Sequence, residues 1–273
     1  MTINCKGQLI DLSSPKVMGI LNLTPDSFYD GGKYKSEKTI LSQVDKMLKE
    51  GATFIDLGAY SSRPNADHIS EEEELSRILP VVKLLIKEFS EILLSVDTFR
   101  SNIAKACIEE GAALINDISA GNLDNHMLAT VAQLQVPYIM MHMKGTPKTM
   151  QQQTNYDDLI KDILLYFSVK IAEARALKIN DIIIDAGFGF AKTVKQNFEL
   201  LNKFELLNIT DLPILAGLSR KSMIYKTLDS SANEALNGTT ALNMIALQKG
   251  ASILRVHDVK EAIECIKLNN ALN

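Results

Sequence analysis

Two sets of polar side chains in this 273-residue chain have the chemistry of ligand-binding groups. The first set supplies cationic and neutral hydrogen-bond donors, which suit a phosphate or pyrophosphate. Its members are Asn22, Ser62, Arg63, Arg255 and His257. The second set supplies both donors and acceptors, which suit a polar heterocycle. Its members are Asp97, Asn116, Asp185 and Lys221.

The second set matches the hydrogen-bonding edges of a nitrogen heterocycle. Carboxylates and amides accept from ring N–H and amino groups, and a lysine ammonium donates to a ring carbonyl or ring nitrogen. A pyrophosphate bound by the first set could carry Mg²⁺, which needs only one or two protein oxygens. The four histidines form no HExxH motif, so a zinc site is not predicted. No obvious activated Ser or Cys nucleophile is present.

Each of these residues, taken alone, also has an ordinary structural interpretation. Asn22, Asn116 and Asp185 could cap helices or lie in turns. Lys221 and its neighbour Arg220 are, by themselves, more typical of a solvated helix face. The functional interpretation therefore depends on the position that the candidates share, which is set by the elements that carry them.

Eight short apolar segments alternate with longer amphipathic segments along the chain. They predict strands at residues 17–21, 53–58, 92–97, 113–117, 137–142, 181–186, 213–219 and 252–258. The strands are nearly all apolar, as expected when both faces are buried. Helices are predicted between them, the first from a cap at Ser36 to Gly51 and the second from an N-cap at Ser70. A helical region is predicted through Gln248, and a last helix over residues 259–268.

The alternation of strands and helices predicts right-handed crossovers and a parallel sheet. Eight units without a linker or low-complexity segment favour an α/β fold, a single (β/α)8 TIM-barrel domain over residues 1–273. A doubly wound open sheet is less favoured, because it usually carries GxGxxG after its first strand and none is present. In a barrel the active site lies at the carboxyl ends of the strands, where most of the candidates fall.

The composition is that of a globular protein with a large core. Hydrophobic residues make up 46% of the chain and charged residues 23%. The formal charge of −4 does not suggest nucleic-acid binding. The first residues lack the apolar segment of a signal peptide, no apolar run is long enough to span a bilayer, and Cys5, Cys107 and Cys265 form no CxxC pair. We therefore expect a cytoplasmic enzyme without nucleic-acid or membrane partners.

A series of motifs resembles the dihydropteroate synthase family in content and in order along the chain. They are GILNLTPDSFYDGG, GATFIDLGAYSSRPNA, SVDTFRS, INDISAG, MMHMKGTP, DIIIDAGFGFAKT, GLSRKSMI, NGTTALN and ILRVHDV. The match extends over nearly the whole chain, and the motifs together are highly specific, whereas a short piece such as VHD alone would be weak.

The resemblance implies a (β/α)8 barrel, usually a homodimer, that acts as a transferase in folate biosynthesis and is the target of sulfonamides. The family condenses 6-hydroxymethyl-7,8-dihydropterin pyrophosphate with 4-aminobenzoate to give 7,8-dihydropteroate and pyrophosphate. The path is SN1-like and is assisted by Mg²⁺. The resemblance therefore implies these two small substrates as partners and Mg²⁺ as cofactor.

The resemblance also assigns roles to individual residues. It implies catalysis by Arg63, Asp97, Asp185 and Lys221. It implies substrate binding by Asn22, Ser62, Asp97, Asn116, Asp185, Lys221, Arg255 and His257, with Asn22 also at the metal. It implies walls of the pterin and aminobenzoate sites from Ile118, Met141, Phe190 and Gly217, with Ser222 near the aminobenzoate carboxylate. Segments 24–32 and 61–66 match two mobile loops that close over the second substrate.

Some positions depart from the family's usual pattern. Tyr60 replaces a usual glutamate, Ser62 a usual threonine and Ala186 a usual proline. Ser62 keeps the hydroxyl, so its hydrogen bond survives. Tyr60, together with Asn65, bears on loop conformation and sulfonamide response but not on the reaction.

Two other functions are open to a chain with this pattern. A pterin-barrel methyltransferase acting on methyltetrahydrofolate and a corrinoid would share the barrel and the Asp and Asn side chains that bind the pterin. It would not need the SRP, SRK and RVHD segments that this chain carries. A non-catalytic, pterin-binding paralogue would be expected to lose loop or anion-site residues, and here these are present or conservatively replaced.

Overall fold

Eight parallel strands close into a barrel in the order of the chain, and the last strand pairs with the first. The computed structural model describes residues 1–23, 33–61 and 68–272, with side chains in the second range described from residue 37 onward. The barrel strands are β3 (Lys16–Asn22), β4 (Phe54–Gly58), β5 (Leu94–Asp97), β6 (Leu114–Asp117), β7 (Tyr138–Met141), β8 (Ile182–Asp185), β9 (Ile214–Ala216) and β10 (Ile253–Val256). The predicted (β/α)8 barrel is confirmed, and the open-sheet alternative is wrong.

The described helices surround the barrel. They are α1 (Lys33–Lys49), α2 (Glu71–Glu88), α3 (Ser101–Glu109), α4 (Met127–Leu134), α5 (Leu159–Ala176), α6 (Val194–Asn202), α7 (Ser222–Thr227), α8 (Leu236–Gln248) and α9 (Val259–Leu272). Short 3-10 turns lie at Met150–Gln152, Phe204–Thr210 and Ala232–Glu234. Among these helices, none combines the length and the apolar character that a membrane span requires.

The helix boundaries agree with the sequence in part. Ser70 caps α2 as predicted, because its hydroxyl accepts from the backbone N–H of Glu73 at 3.2 Å. The first helix begins at Lys33, so the predicted start at Ser36 is three residues late. The helical region predicted through Gln248 consists of two helices, α7 and α8, with a 3-10 turn between them.

A hairpin of β1 (Thr2–Cys5) and β2 (Gln8–Asp11) closes the amino-terminal end of the barrel and was not predicted. Its two-residue turn, Lys6–Gly7, has positive φ at both positions (55° and 81°), which suits the twist of a tight hairpin. The hairpin side chains share one apolar cluster with residues near the starts of the barrel strands: Ile3, Cys5, Ile10, Leu12, Met18, Phe54, Leu114, Ile139, Ile183, Leu215 and Ile253. The lower half of the barrel interior is therefore a packed core, which leaves the upper half for polar groups.

Candidate active site

Polar residues fill the upper half of the barrel interior, above the apolar cluster. Asp97 at the end of β5 pairs in register with Asn116 on β6, so both side chains project to the same side of the sheet. On the other side of Asp97 lies Gly58, where a Cβ atom would be 3.5 Å from Asp97 Oδ2. The glycine therefore leaves the space that the Asp97 carboxylate occupies.

Arg255 holds two carboxylates on neighbouring strands. Its Nε donates to Asp56 Oδ2 at 2.5 Å, and its Nη2 donates to Asp97 Oδ2 at 2.8 Å. Asn116 Nδ2 donates to the same Asp56 oxygen at 3.1 Å. The structure thus joins Arg255, predicted for the anion set, to Asp97 and Asn116 of the heterocycle set. The two sets meet directly, where Arg255 binds Asp97, and also through Asp56.

Asp56 is a site residue that the sequence analysis did not select. It lies in the middle of β4 and is fully buried. A carboxylate inside an otherwise apolar strand is a usable signal, because a buried charge requires a partner. Because Asp56 lies between Ile55 and Leu57 and does not end its strand, the pattern of polar strand ends assigns it no role.

The charge balance of this network shifts the ionisation of Asp97. Burial raises the pKa of Asp97 to about 7, Arg255 opposes the rise, and the carboxylate of Asp56 adds to it. An acid that titrates near neutral pH inside a cleft is typical of functional sites.

Lys221 and Asp185 face each other across Gly217, at the carboxyl ends of β8 and β9. A Cβ at Gly217 would lie 3.7 Å from Lys221 Nζ and 3.9 Å from Asp185 Oδ2, so glycine keeps the space between them open. Lys221 Nζ donates to the carbonyl of Phe188 and lies 5.2 Å from the ring centroid of Phe190. Burial lowers the pKa of Lys221 to about 8, and the charge of Asp185 opposes this shift.

Lys192, which the sequence analysis also missed, binds the loop that follows β8. Its Nζ donates to the carbonyls of Gly187 and Phe190 at 2.9 and 3.0 Å, and it lies 3.0 Å from His142 Nδ1. Burial lowers the pKa of Lys192 to about 7 and that of His142 to about 2. A neutral imidazole then accepts from the lysine. The pair was not detectable locally, because its members are 50 residues apart.

An apolar wall stands beside these polar groups. Ile118, Met141 and Phe190, which the family resemblance had placed around the ligands, belong to one cluster. The other members and neighbours of this cluster are Phe99, Leu123, Met143, Met150 and Ala191. Because Phe190 also approaches Lys221, the wall and the charged groups border the same space.

The ends of β9 and β10 are tied together around His257. Ser219 Oγ lies 2.9 Å from His257 Nδ1 and accepts from the His257 backbone N–H at 3.2 Å. Arg220 donates twice to Asp258, at 2.9 Å each, so it is a paired structural residue and not the solvated side chain that its type alone suggested. Ser222 follows Lys221 as the first residue of α7.

The remaining candidates are placed only in part. Asn22 ends β3, is half-buried and pairs in register with Gly58. Ser62, Arg63 and Asn65, together with segment 24–32 and most of segment 61–66, lie outside the described residues. Tyr60 is described, and its hydroxyl lies 3.2 Å from His68 Nδ1.

A closed (β/α)8 barrel with buried acids, an amide and two cations at its carboxyl-terminal mouth defines a barrel enzyme that binds a polar ligand there. A family model described as "Pterin binding enzyme" matches residues 18–257. Dihydropteroate synthase of Haemophilus influenzae is 43% identical over 270 residues, with 98% of each chain covered. The Escherichia coli dihydropteroate synthase is 41% identical over 273 residues, with 99% of this chain and 96% of that protein covered.

Solved structures agree with these relatives. Yersinia pestis dihydropteroate synthase in a sulfonamide drug complex superposes with a TM-score of 0.93 at 42% identity, covering 100% of this chain and 99% of that one. The Xanthomonas albilineans enzyme in complex with 7,8-dihydropteroate gives 0.89 at 33% identity, covering 100% and 98%. The chain belongs to the dihydropteroate synthase family. It is therefore a transferase, and the family, fold and enzyme class predicted from the sequence are confirmed.

Proposed function

We propose that this chain condenses 6-hydroxymethyl-7,8-dihydropterin pyrophosphate with 4-aminobenzoate, forming 7,8-dihydropteroate and releasing pyrophosphate. The observation that carries the proposal is the joined network of Asp56, Asp97, Asn116 and Arg255 beside Asp185 and Lys221. This network offers acceptors for the N–H groups of a pterin next to donors for its carbonyl and ring nitrogens. The matched relatives are named for this activity.

The anionic part of the substrate would lie toward Arg255 and His257. Within the described residues, carboxylates occupy two of the three nitrogen atoms of Arg255, which leaves Nη1 for a pyrophosphate oxygen. Ser219 positions His257, because its Oγ lies 2.9 Å from His257 Nδ1. Arg63 would add a further cation from its loop.

Asn22 is the residue that we propose for Mg²⁺. Within the described residues, no three His, Cys, Asp or Glu side chains come together as a metal site. The amide oxygen of Asn22 at the end of β3 fits a Mg²⁺ ion that takes one protein oxygen and completes its shell with phosphate and water oxygens. When bound, Mg²⁺ would neutralise charge on the pyrophosphate.

The chain's own residues would stabilise charge separation on an SN1-like path. The bond between the methylene carbon and pyrophosphate breaks first, and the pair of electrons leaves with the pyrophosphate. Asp97 and Asp185 would then stabilise the pterin cation. The aniline nitrogen of 4-aminobenzoate attacks the methylene carbon to form the C–N bond, and the proton that it loses passes to solvent. The wall formed by Met141 and Phe190 would exclude water from the cation.

The direct test incubates the purified chain with the pterin pyrophosphate, 4-aminobenzoate and Mg²⁺. Pyrophosphate release and dihydropteroate are followed by mass spectrometry. We expect product that requires 4-aminobenzoate and is abolished by EDTA, with recovery on added Mg²⁺. Pterin binding without product would instead indicate a non-catalytic binding protein, and methyl transfer from methyltetrahydrofolate would indicate the methyltransferase.

Three further properties are proposed together with this activity. Sulfonamides, which bind the Yersinia pestis relative, would compete with 4-aminobenzoate here, and Tyr60 would alter the strength of inhibition. The chain would act as a homodimer, which light scattering would detect. It would act in the cytoplasm, and its three buried free cysteines support a reducing compartment.

A further inference from the structure

Asp56 lies deeper in the barrel than the groups expected to touch the ligand, yet it contacts two of them. Its strand position is two residues before Gly58, so its side chain projects into the barrel one layer below Asp97. Its Oδ2 accepts from both Asn116 Nδ2 and Arg255 Nε. The side chain is fully buried, and its Oδ1 has no hydrogen-bond partner among the described residues.

This contact determines which way the Asn116 amide faces. An ionised carboxylate only accepts hydrogen bonds, so the amide nitrogen must point toward Asp56. The flipped amide would set its oxygen against the carboxylate and lose the bond. Asn116 therefore offers its Oδ1 and its second Nδ2 hydrogen to a ligand. An acceptor beside a donor is complementary to the edge of an aminopyrimidine ring, where an amino group lies next to a ring nitrogen.

The same carboxylate holds the Arg255 guanidinium in one plane. Nε is bound to Asp56 and Nη2 to Asp97, on adjacent strands β4 and β5. A planar guanidinium held at two nitrogens has little freedom to rotate. The direction of Nη1 is therefore set by two carboxylates and not by the ligand.

We propose that Asp56 is a positioning residue for pterin recognition, which fixes the orientation of the Asn116 amide and the Arg255 guanidinium and thereby sets the hydrogen-bonding edge that the site presents. The inference rests on the proposed function, because it concerns the same site and the same substrate. Asp56 does not touch the substrate. It acts through Asn116 and Arg255.

The charge of Asp56 supplies a readout that a merely structural residue would not give. The charged groups that face Asp97 are Asp56, Glu74, Asp117, Lys221 and Arg255. Burial raises the pKa of Asp97, and the charge of Asp56 raises it further. Replacing Asp56 by asparagine removes that charge and leaves Arg255 to pair with Asp97 alone. Both changes lower the pKa of Asp97.

Calorimetric titration of the full chain with 6-hydroxymethylpterin, between about pH 5.5 and 8.5, tests the proposal. We expect the wild type to lose affinity on the acid side as Asp97 becomes protonated. Asp56→Asn should bind roughly tenfold more weakly, with its acid-side midpoint moved to lower pH. In turnover, the KM for the pterin substrate should rise while the KM for 4-aminobenzoate stays unchanged. Ser95→Ala is the control, because Ser95 is fully buried beside Asp56 in register and should leave affinity and midpoint unchanged.

A reciprocal exchange keeps the proposal testable if Asp56→Asn alone does not fold. Asn116→Asp places two carboxylates together and should bind the pterin poorly. Adding Asp56→Asn to that variant restores a donor–acceptor pair and should recover affinity roughly tenfold. The same substitution is therefore harmful in the wild type and beneficial beside Asn116→Asp.

The outcomes separate the inference from the function on which it rests. A wild type that neither binds the pterin nor turns over would overturn both. A binding wild type with Asp56→Asn unchanged in affinity and midpoint would overturn the inference alone. Lost affinity with an unmoved midpoint and no recovery in the exchanged pair would also overturn it, because that pattern indicates only a structural role.

Discussion

Two lysines donate to carbonyls of the loop that follows β8, and they are held differently. Lys192 is 4% exposed, and its three hydrogens meet three acceptors: two loop carbonyls and His142. Lys221 is only half-buried, contacts one loop carbonyl within the described residues, and faces Asp185 across Gly217. Burial lowers both pKa values, to about 7 and about 8.

The difference shows that two lysines bound to the same loop can have different roles, one structural and one in substrate binding. An ammonium whose hydrogens are all bound by protein has none left for a ligand, so Lys192 can only hold the loop. An ammonium with hydrogens to spare can donate to a substrate, as we propose for Lys221. The loop between them has three residues with positive φ, Gly187, Gly189 and Ala191, which turn its carbonyls toward the two lysines. A similar pKa shift therefore does not imply a similar role.

The largest expected effect comes from Lys221→Ala. Loss of the donor to the pterin ring should lower kcat/KM by roughly 10²–10³-fold, as for removal of a single stabilising donor in other active sites. The free energy of unfolding should change by less than about 1 kcal/mol, because Lys221 is only half-buried. Steady-state kinetics and urea unfolding measure the two quantities.

Lys226→Ala is the matched control for this variant. Lys226 lies on α7, the short helix that begins directly after Lys221, and is exposed, so its removal should leave kinetics and stability unchanged. Near-normal turnover of Lys221→Ala would contradict a role for Lys221 in the reaction, and with it the proposed difference between the two lysines.

Lys192→Met should give the opposite pattern. Two buried acceptors and one partly buried acceptor lose their donor, and the free energy of unfolding should fall by about 3 kcal/mol. Where the variant is folded, kcat should fall by much less than in Lys221→Ala. Lys195→Met is the control, because Lys195 is exposed on α6, close in sequence. A stable Lys192→Met variant with abolished turnover would instead indicate that Lys192, like Lys221, takes part in the reaction.

Asp185→Ala tests the anion that both lysines face. The charges of Lys221 and Lys192 act on its carboxylate, which also accepts from the Gly187 backbone N–H at 2.8 Å. Its removal should weaken pterin binding by about 1–3 kcal/mol, since a buried hydrogen-bonded charge is lost. Calorimetry with 6-hydroxymethylpterin measures this. Retained affinity would exclude Asp185 from the pterin site.

The fold and much of this site could be predicted because they follow from local patterns. Eight apolar segments, each followed by a helical one, specify the barrel, and the residues that end those segments meet at one mouth. Asp97, Asn116 and Asp185 end such segments, and this position predicts them as site residues. The short hairpin at residues 2–11 was missed because two strands of four residues give too little alternation to detect.

The partners of the charged residues could not be predicted in the same way. Arg255 lies 199 residues from Asp56 and 158 from Asp97, so its cation suggested a phosphate and gave no sign of the two carboxylates. Lys192 contacts His142, which lies 50 residues away in the sequence. Sequence patterns indicate which side chains lie at the end of a strand. The partner depends on which strands become neighbours when the barrel closes.

The smallest expected effect is a difference in pH dependence between the wild type and Lys192→Met. The pKa of Lys192 is about 7 in the folded chain, below the ordinary value of 10.5. Between these values the unfolded chain binds more protons than the folded chain, so this group makes stability rise with pH. The wild type should gain about 1 kcal/mol more than Lys192→Met between pH 7.5 and 8.5, measured by urea unfolding. Equal slopes would mean that Lys192 keeps an ordinary pKa, and the two lysines would then differ in ionisation as well as in contacts.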